Sequence, residues 1–362
     1  MNQALTSAMH RALSHARGSD PAAVTAIIQD ALAAGGLATA SPQARGGATA
    51  DRFKPRPAAL GRFRMPRGST LPGGLTMPTG LRLGDLGQGR AAAPALPEGA
   101  TWEARRHEGP EGARDYRLFL PSPREGGPVG LLVMLHGCTQ NPEDFARGTG
   151  MNAVAEEHGL AVAWPQQGPA HNPQSCWNWF RPEDQSRDGG EPAIIAAITR
   201  ALLAELGLPE GRAAVAGLSA GGAMAAILAT THPDLFAAAG VHSGLPAGAA
   251  RDVPSAFAAM RSGGGRQREG APLIVFHGSA DATVAPANAA ALVAGSGLET
   301  VHEENGRGFT RMIADDGSEL WRVSGAGHAW FGGDSTGSYA DPLGPHASAE
   351  IARFAVERME DR

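Results

Sequence analysis

Five short apolar runs, each closed by proline, glycine or histidine, do most to limit the folds open to this chain. Tyr116–Leu120 stops at Pro121, Gly130–Leu135 at His136-Gly137, and Leu160–Trp164 at Pro165. Ala213–Gly217 runs into Leu218-Ser219, and Pro272–Phe276 stops at His277-Gly278. Runs this short and this continuous suit strands buried on both faces, as in a parallel sheet. Helical stretches lie between them, clearest at Pro192–Leu206 and Ala220–Thr230. Strand alternating with helix predicts an α/β fold: an open, mostly parallel central sheet with helices on both faces.

The chain of 362 residues exceeds one average domain. Three regions are expected. Residues 1–37 read as helical, with Asp20-Pro21 as a cap and Gly35-Gly36 as a stop. Residues 38–100 turn to Gly, Pro, Ala, Arg and Ser without periodicity, which predicts a poorly ordered linker. Residues 101–362 form the expected catalytic domain. The net charge of −5 is uneven: residues 1–90 hold 11 Lys+Arg against 4 Asp+Glu. A basic leader on an acidic globule could meet an anionic surface, but with Lys54 as the sole lysine the arginines also read as a compositional habit. Nothing resembles a nucleic-acid-binding module. No apolar stretch reaches the roughly 18 residues of a transmembrane helix. The N-terminus lacks the basic and apolar regions of a signal peptide, so a cytoplasmic location is expected. No motif bears on oligomeric state.

Gly217-Leu218-Ser219-Ala220-Gly221 fits G-x-S-x-G. Five residues are weak evidence alone, but here a buried strand enters the motif and an Ala-rich helix leaves it. That setting is the nucleophile elbow of an α/β-hydrolase: the glycines give room, and the helix N-terminus points free N–H groups at the reaction centre. The competing reading is a serine that merely caps a helix. A serine hydroxyl is a poor nucleophile at neutral pH and needs a base.

In this fold the partners follow in the order Ser, acid, His. Of His302, His328 and His346, His328 best fits the base. It follows the strand-like Glu319–Val323 through Gly325-Ala326-Gly327, and such loops carry catalytic side chains. The acid is expected on the loop after Leu273–Phe276, at Asp281, which would fix the tautomer of His328. An Asx-turn role is its alternative. Asp315 and Asp316 read as a hairpin turn, and Asp252 has no strand before it.

Two backbone N–H groups should hold the oxyanion. Ala220 follows the nucleophile, and Cys138 lies on the loop after Leu135; those two amides are the candidates. His136 reads as a packed loop residue. Cys138 and Cys176 are the chain's two cysteines. Both fall near the expected site, so one disulfide is geometrically conceivable, though unexpected in a reducing cytoplasm. A zinc framework is not expected from two cysteines.

The segments Leu135–Gln140, Cys176-Trp177-Asn178-Trp179-Phe180, Gly217–Gly222, His277–Asp281 and Gly327-His328-Ala329-Trp330 occur together and in this order. This set resembles the poly(3-hydroxybutyrate) depolymerase family of esterases, which is similar to feruloyl and acetylxylan esterases of carbohydrate esterase type 1. The resemblance covers roughly 115–360. It implies ester hydrolysis through an acyl-serine intermediate, no metal or cofactor, and Ser219, Asp281 and His328 as the triad. It also implies an aromatic cluster beside the cleft, with Trp177, Trp179 and Trp330 as substrate-binding candidates; ordinary core packing is the alternative for the cluster. The family's histidine is often followed by Trp-Pro-Gly, where this chain has Trp330-Phe331-Gly332 after Ala329. The chain ends about 34 residues after His328, too soon for a C-terminal polymer-binding domain. The implied activity is therefore that of an intracellular depolymerase, with a storage-granule surface as partner, or of a short-ester hydrolase. An extracellular or periplasmic location is the alternative, and a granule-binding protein with a vestigial hydrolase core is the alternative of another class.

Overall fold

The computed structural model describes residues 93–267, 269–293 and 297–362. The helix expected within residues 1–37, and the expected linker as far as residue 92, lie outside the described residues. Among the described residues, no helix is long and apolar enough to cross a membrane.

Ten strands make one sheet. In chain order they are β1 (Thr101–Gly109), β2 (Gly112–Leu120), β3 (Gly130–Leu135), β4 (Leu160–Pro165), β5 (Ala213–Leu218), β6 (Phe236–His242), β7 (Leu273–Gly278), β8 (Leu298–Glu304), β9 (Arg307–Ile313) and β10 (Glu319–Val323). Their spatial order is β1-β2-β4-β3-β5-β6-β7-β10-β9-β8. The pairs from β4 through β10 are parallel. The β1–β2 hairpin adds antiparallel to β4, and β9 and β8 add antiparallel beyond β10. Two short parallel strands, β11 (Trp330–Phe331) and β12 (Ala340–Asp341), stand apart from this sheet. This is the mostly parallel α/β-hydrolase sheet expected from the apolar runs, except that the first run, Tyr116–Leu120, lies in a strand antiparallel to both its neighbours.

Side chains alternate faces along a strand, so a continuous apolar run must bury both. Leu131, Val133 and Leu135 of β3 enter one core, and Leu132 and Met134 enter the other. The first core is roofed by α3 (Gly190–Glu205), α4 (Ala220–Thr231), α5 (Val253–Ser262) and α6 (Ala287–Leu292). The second is roofed by α1 (Pro142–Thr149), α2 (Met151–His158) and α7 (Ala347–Glu360). Each large side chain so buried contributes about 1.5–3 kcal/mol.

One central strand was not expected. Phe236-Ala237-Ala238-Ala239-Gly240 has the composition of a helix or a loop, yet β6 is buried along its whole length. Its small residues pack between α4 on one face and α7 on the other. Tertiary burial overrides weak β propensity here. The strand matters because it buttresses the turn that follows β5.

Candidate active site

Ser219 sits where β5 ends and α4 begins, with φ 57° and ψ −116°. An L-residue seldom adopts this conformation, and it costs on the order of 1–3 kcal/mol. Close packing enforces it. A methyl group at Gly221 would fall 2.0 Å from the Leu135 carbonyl oxygen, and one at Gly217 would fall 2.4 Å from the Gly221 carbonyl carbon. The two outer glycines of the motif therefore let the elbow press against the end of β3. The Ser219 amide donates to the His242 carbonyl at the end of β6, 2.9 Å away. No side-chain capping bond is made by Ser219 to α4, so its hydroxyl is not committed to the helix.

Asp281 and His328 come together from loops after β7 and β10. Parallel pairing of those strands brings the loops to the same sheet edge. Ala280 N donates to Ala326 O at 2.9 Å, and Gly325 N donates to Ser279 Oγ at 2.8 Å. His328 Nδ1 then lies 2.7 Å from Asp281 Oδ2. The other carboxylate oxygen, Oδ1, accepts from Thr283 N and Val284 N, both at 2.9 Å. Asp281 thus forms the Asx-type turn and orients the histidine at once. Burial opposes its ionisation, but the bonds from His328 and from the two amides outweigh it and hold the carboxyl below its ordinary value. Among the described residues, no hydrogen bond joins Ser219 Oγ to His328 Nε2. In unliganded enzymes this contact is often long and tightens with substrate bound.

The rival residues have other work. His346 accepts from Ala349 N as the cap of α7. His302 stacks on Phe309 at the sheet edge. Asp316 accepts from Ser318 N within its turn, and Asp252 forms a capping box with Ser255 at the start of α5.

Amides on either side of Cys138 are committed within the protein. Gly137 N donates to Gln140 Oε1 at 2.9 Å, and Thr139 N donates to Gln174 O at 2.7 Å. Among the described residues, neither Cys138 N nor Ala220 N donates to any acceptor. Both residues, with Ser219, border one cavity. Two idle N–H groups beside a serine form an arrangement able to bind a developing oxyanion. His136 is a packed residue. Its Nε2 accepts from Gln167 N at 3.1 Å, so the Nδ1–H donates to Gly137 O at 2.8 Å. Burial lowers its pKa to about 4.

The cavity holds about 360 Å³ and is mainly apolar, with Trp179, Phe180, Leu245, Ala256, Met260 and Val284 among its walls. Val253 and Phe257 of α5 stand exposed at its border. The sequence reading missed the α5 wall. The signal available was an apolar stripe at 253, 256, 257 and 260 after a capping Asp252. His242 was missed too, because it is the last residue of the unrecognised strand β6. It is fully buried, accepts from Phe331 N at 3.2 Å and stacks on Trp330.

Two of the three tryptophan assignments need correction. Trp177 is wholly buried, and its indole N–H donates to His136 O at 3.1 Å. Trp330 packs edge-on to Phe145 and donates to Ser348 Oγ at 3.0 Å. Both indoles have found their polar partner inside the core, and neither borders the cavity. Trp179 does border it. Cys138 and Cys176 are joined by a disulfide, and both border the cavity.

Comparison with known proteins agrees with this architecture. Residues 114–302 match the family described as Esterase PHB depolymerase. The chain is 36% identical over 174 residues to poly(3-hydroxyalkanoate) depolymerase C of Paucimonas lemoignei, covering 44% of this chain and 42% of that one. It is 28% identical over 272 residues to a poly(3-hydroxybutyrate) depolymerase of Ralstonia pickettii, covering 62% of this chain and 54% of that one. The chain thus spans about half the length of these curated relatives. An acetyl xylan esterase structure from Aspergillus awamori shares the fold at TM-score 0.53 and 21% identity, over 63% of this chain and 94% of that one. The family match covers more than half of the 362 residues, and the chain belongs to the PHB depolymerase family of esterases.

Proposed function

We propose that this protein is a serine carboxylic-ester hydrolase that cleaves poly- or oligo-(3-hydroxybutyrate) through an acyl-serine intermediate. One observation carries the reading: the strained Ser219 borders an apolar cavity together with two unbonded backbone amides. His328, held by Asp281 through Nδ1, presents Nε2 as the base. Ser219 Oγ attacks the ester carbonyl carbon while its proton passes to Nε2. The carbonyl oxygen becomes an oxyanion held by Cys138 N–H and Ala220 N–H, an interaction worth about 10²–10³ in rate per donor. Collapse expels the alcohol, which takes the proton from His328, and water repeats the sequence to free the acid.

The cavity, at about 360 Å³, has ample room for the aliphatic acyl group of a hydroxybutyrate unit. The relatives named as polyhydroxyalkanoate depolymerases point to the polymer. A second reading is favoured by a relative named as a probable acetylxylan esterase from Aspergillus clavatus, 29% identical over 197 residues: here the substrate is an acetyl or feruloyl ester on a polysaccharide. The Cys138–Cys176 bridge favours an oxidising compartment, so the polyester would be met outside the cytoplasm and not on a cytoplasmic granule.

The test is a substrate panel with purified protein. Clearing of a polyhydroxybutyrate suspension with release of 3-hydroxybutyrate oligomers is expected. Release of acetate or ferulate from xylan with no attack on the polyester would move the assignment to the second reading.

A further inference from the structure

Glu191 lies in the first turn of α3, where a carboxylate is favoured by the helix dipole, yet it is 4% exposed and far in sequence from the elbow. Every hydrogen bond that its carboxylate accepts comes from the segment entering the site. Asn178 N donates to Oε2 at 2.7 Å, and Asn178 Nδ2 donates to Oε1 at 2.8 Å. Gln167 Nε2 donates to Oε1 as well. That same Gln167 amide reaches Cys176 O at 2.9 Å, and the Gln167 backbone N–H donates to His136 Nε2. The buried Arg114 guanidinium lies 3.8 Å from Glu191 and stacks over Trp177.

Two loops are thereby fastened to each other. Trp177 Nε1 bonds His136 O, Thr139 N bonds Gln174 O, and Cys176 is covalently bonded to Cys138. The residues beside the bridge, Thr139 and Ser175, both take positive φ, at 66° and 52°. Non-glycine residues hold such conformations only where the surroundings impose them. Within this frame the Cys138 amide, flanked by the bonded Gly137 and Thr139 amides, donates to no acceptor among the described residues.

We propose that Glu191 is a positioning residue for the Cys138 N–H, acting through Gln167, Asn178 and the Cys138–Cys176 disulfide; this rests on the esterase reading above. The carboxylate receives donors on both oxygens. A glutamine in its place must turn an NH₂ toward one of them, which pushes the 176–178 segment away and tilts the oxyanion donor with it. Glu191 itself does not border the apolar cavity, so the loss is expected to fall on the transition state more than on substrate binding.

The experiment compares the wild-type chain with Glu191→Gln, with the pair Cys138→Ala/Cys176→Ala, and with all three changes combined. The readouts are kcat and KM on p-nitrophenyl butyrate and the affinity for a trifluoromethyl ketone, whose serine adduct carries an oxyanion. Glu191→Gln is expected to lower kcat about 10- to 100-fold with KM little changed, and to weaken the ketone by the same factor. The triple variant should be no slower than the slower of its parents, because both act along one path. Wild-type kcat and ketone affinity in Glu191→Gln overturn the proposal. If Glu191→Gln fails to fold, the cysteine pair decides, since full kcat and ketone affinity without the bridge overturn it equally. Ser219→Ala is the blank: turnover in wild type and none in this variant secures the esterase reading while the relay stands or falls separately. A wild-type chain that turns over no ester overturns both.

Discussion

His328 Nδ1 and Asp281 Oδ2 meet at 2.7 Å although 47 residues separate them, because two neighbouring parallel strands end at the same sheet edge and their loops are hydrogen-bonded to each other. The carboxylate is committed on both oxygens: Oδ1 to two backbone amides of its own turn, Oδ2 to the imidazole.

Asp281→Asn should keep the turn and lose the base. The amide oxygen will stay on the Thr283 and Val284 N–H groups, leaving the NH₂ to face His328 Nδ1. The imidazole must then carry its proton on Nε2, the atom that has to accept from serine. A loss of about 10⁴ in kcat is expected, with KM little changed. Steady-state kinetics on a p-nitrophenyl ester checks this, and a variant retaining more than about a tenth of wild-type kcat would remove Asp281 from the mechanism.

Ser219→Gly should separate strain from activity. Glycine adopts φ 57°, ψ −116° without a Cβ penalty. Relief of roughly 1–3 kcal/mol exceeds glycine's extra entropic cost of about 0.5–1 kcal/mol. The variant is expected to melt about 2–4 °C higher than wild type and to lose on the order of 10⁶ in kcat. A lower melting temperature would mean that the elbow is not strained.

Stability should fall steeply in mild acid. Burial lowers the pKa of His136 and His232 to about 4, that of His242 well below its ordinary value, and that of His277 in the same direction. Below the unfolded value near 6.5 the unfolded chain takes up protons that the folded chain refuses. Their stabilising contribution is therefore complete above about pH 6.5 and is lost as pH falls toward 4, at about 1.4 kcal/mol per pH unit for each histidine. Urea denaturation at several pH values between 7 and 4 measures the slope. His136→Asn should flatten it by about one proton; an unchanged slope would show that His136 titrates normally in the fold.

Acyl selectivity should follow the α5 wall. Ala256 is buried against the cavity of about 360 Å³. Ala256→Leu fills part of that space, and misfitting one methylene costs about 1–3 kcal/mol. The ratio of kcat/KM for p-nitrophenyl butyrate over acetate should drop about 10- to 200-fold. A ratio equal to that of wild type would show that the acyl chain lies elsewhere.

Much of the fold was legible from neighbouring residues. A continuous apolar run must bury both faces, which predicts parallel strands at β3, β4, β5 and β7 without reference to anything distant. The elbow is equally local, because Gly217 and Gly221 permit a turn that any other residue would block. β6 was not legible, since alanine and glycine carry little strand preference and only α4 and α7 closing over them make the segment a strand.

Side-chain fate is where local pattern ran out. Trp177, Trp179 and Trp330 read alike in the sequence, yet only Trp179 borders the cavity. The difference lies in partners far along the chain: His136 O, 41 residues from Trp177, and Ser348 Oγ, 18 residues from Trp330. The disulfide and the cradle around Glu191 have the same origin. Backbone conformation answers to steric limits a few residues wide, whereas burial, hydrogen-bond partners and cavity walls answer to which segments the completed sheet brings side by side.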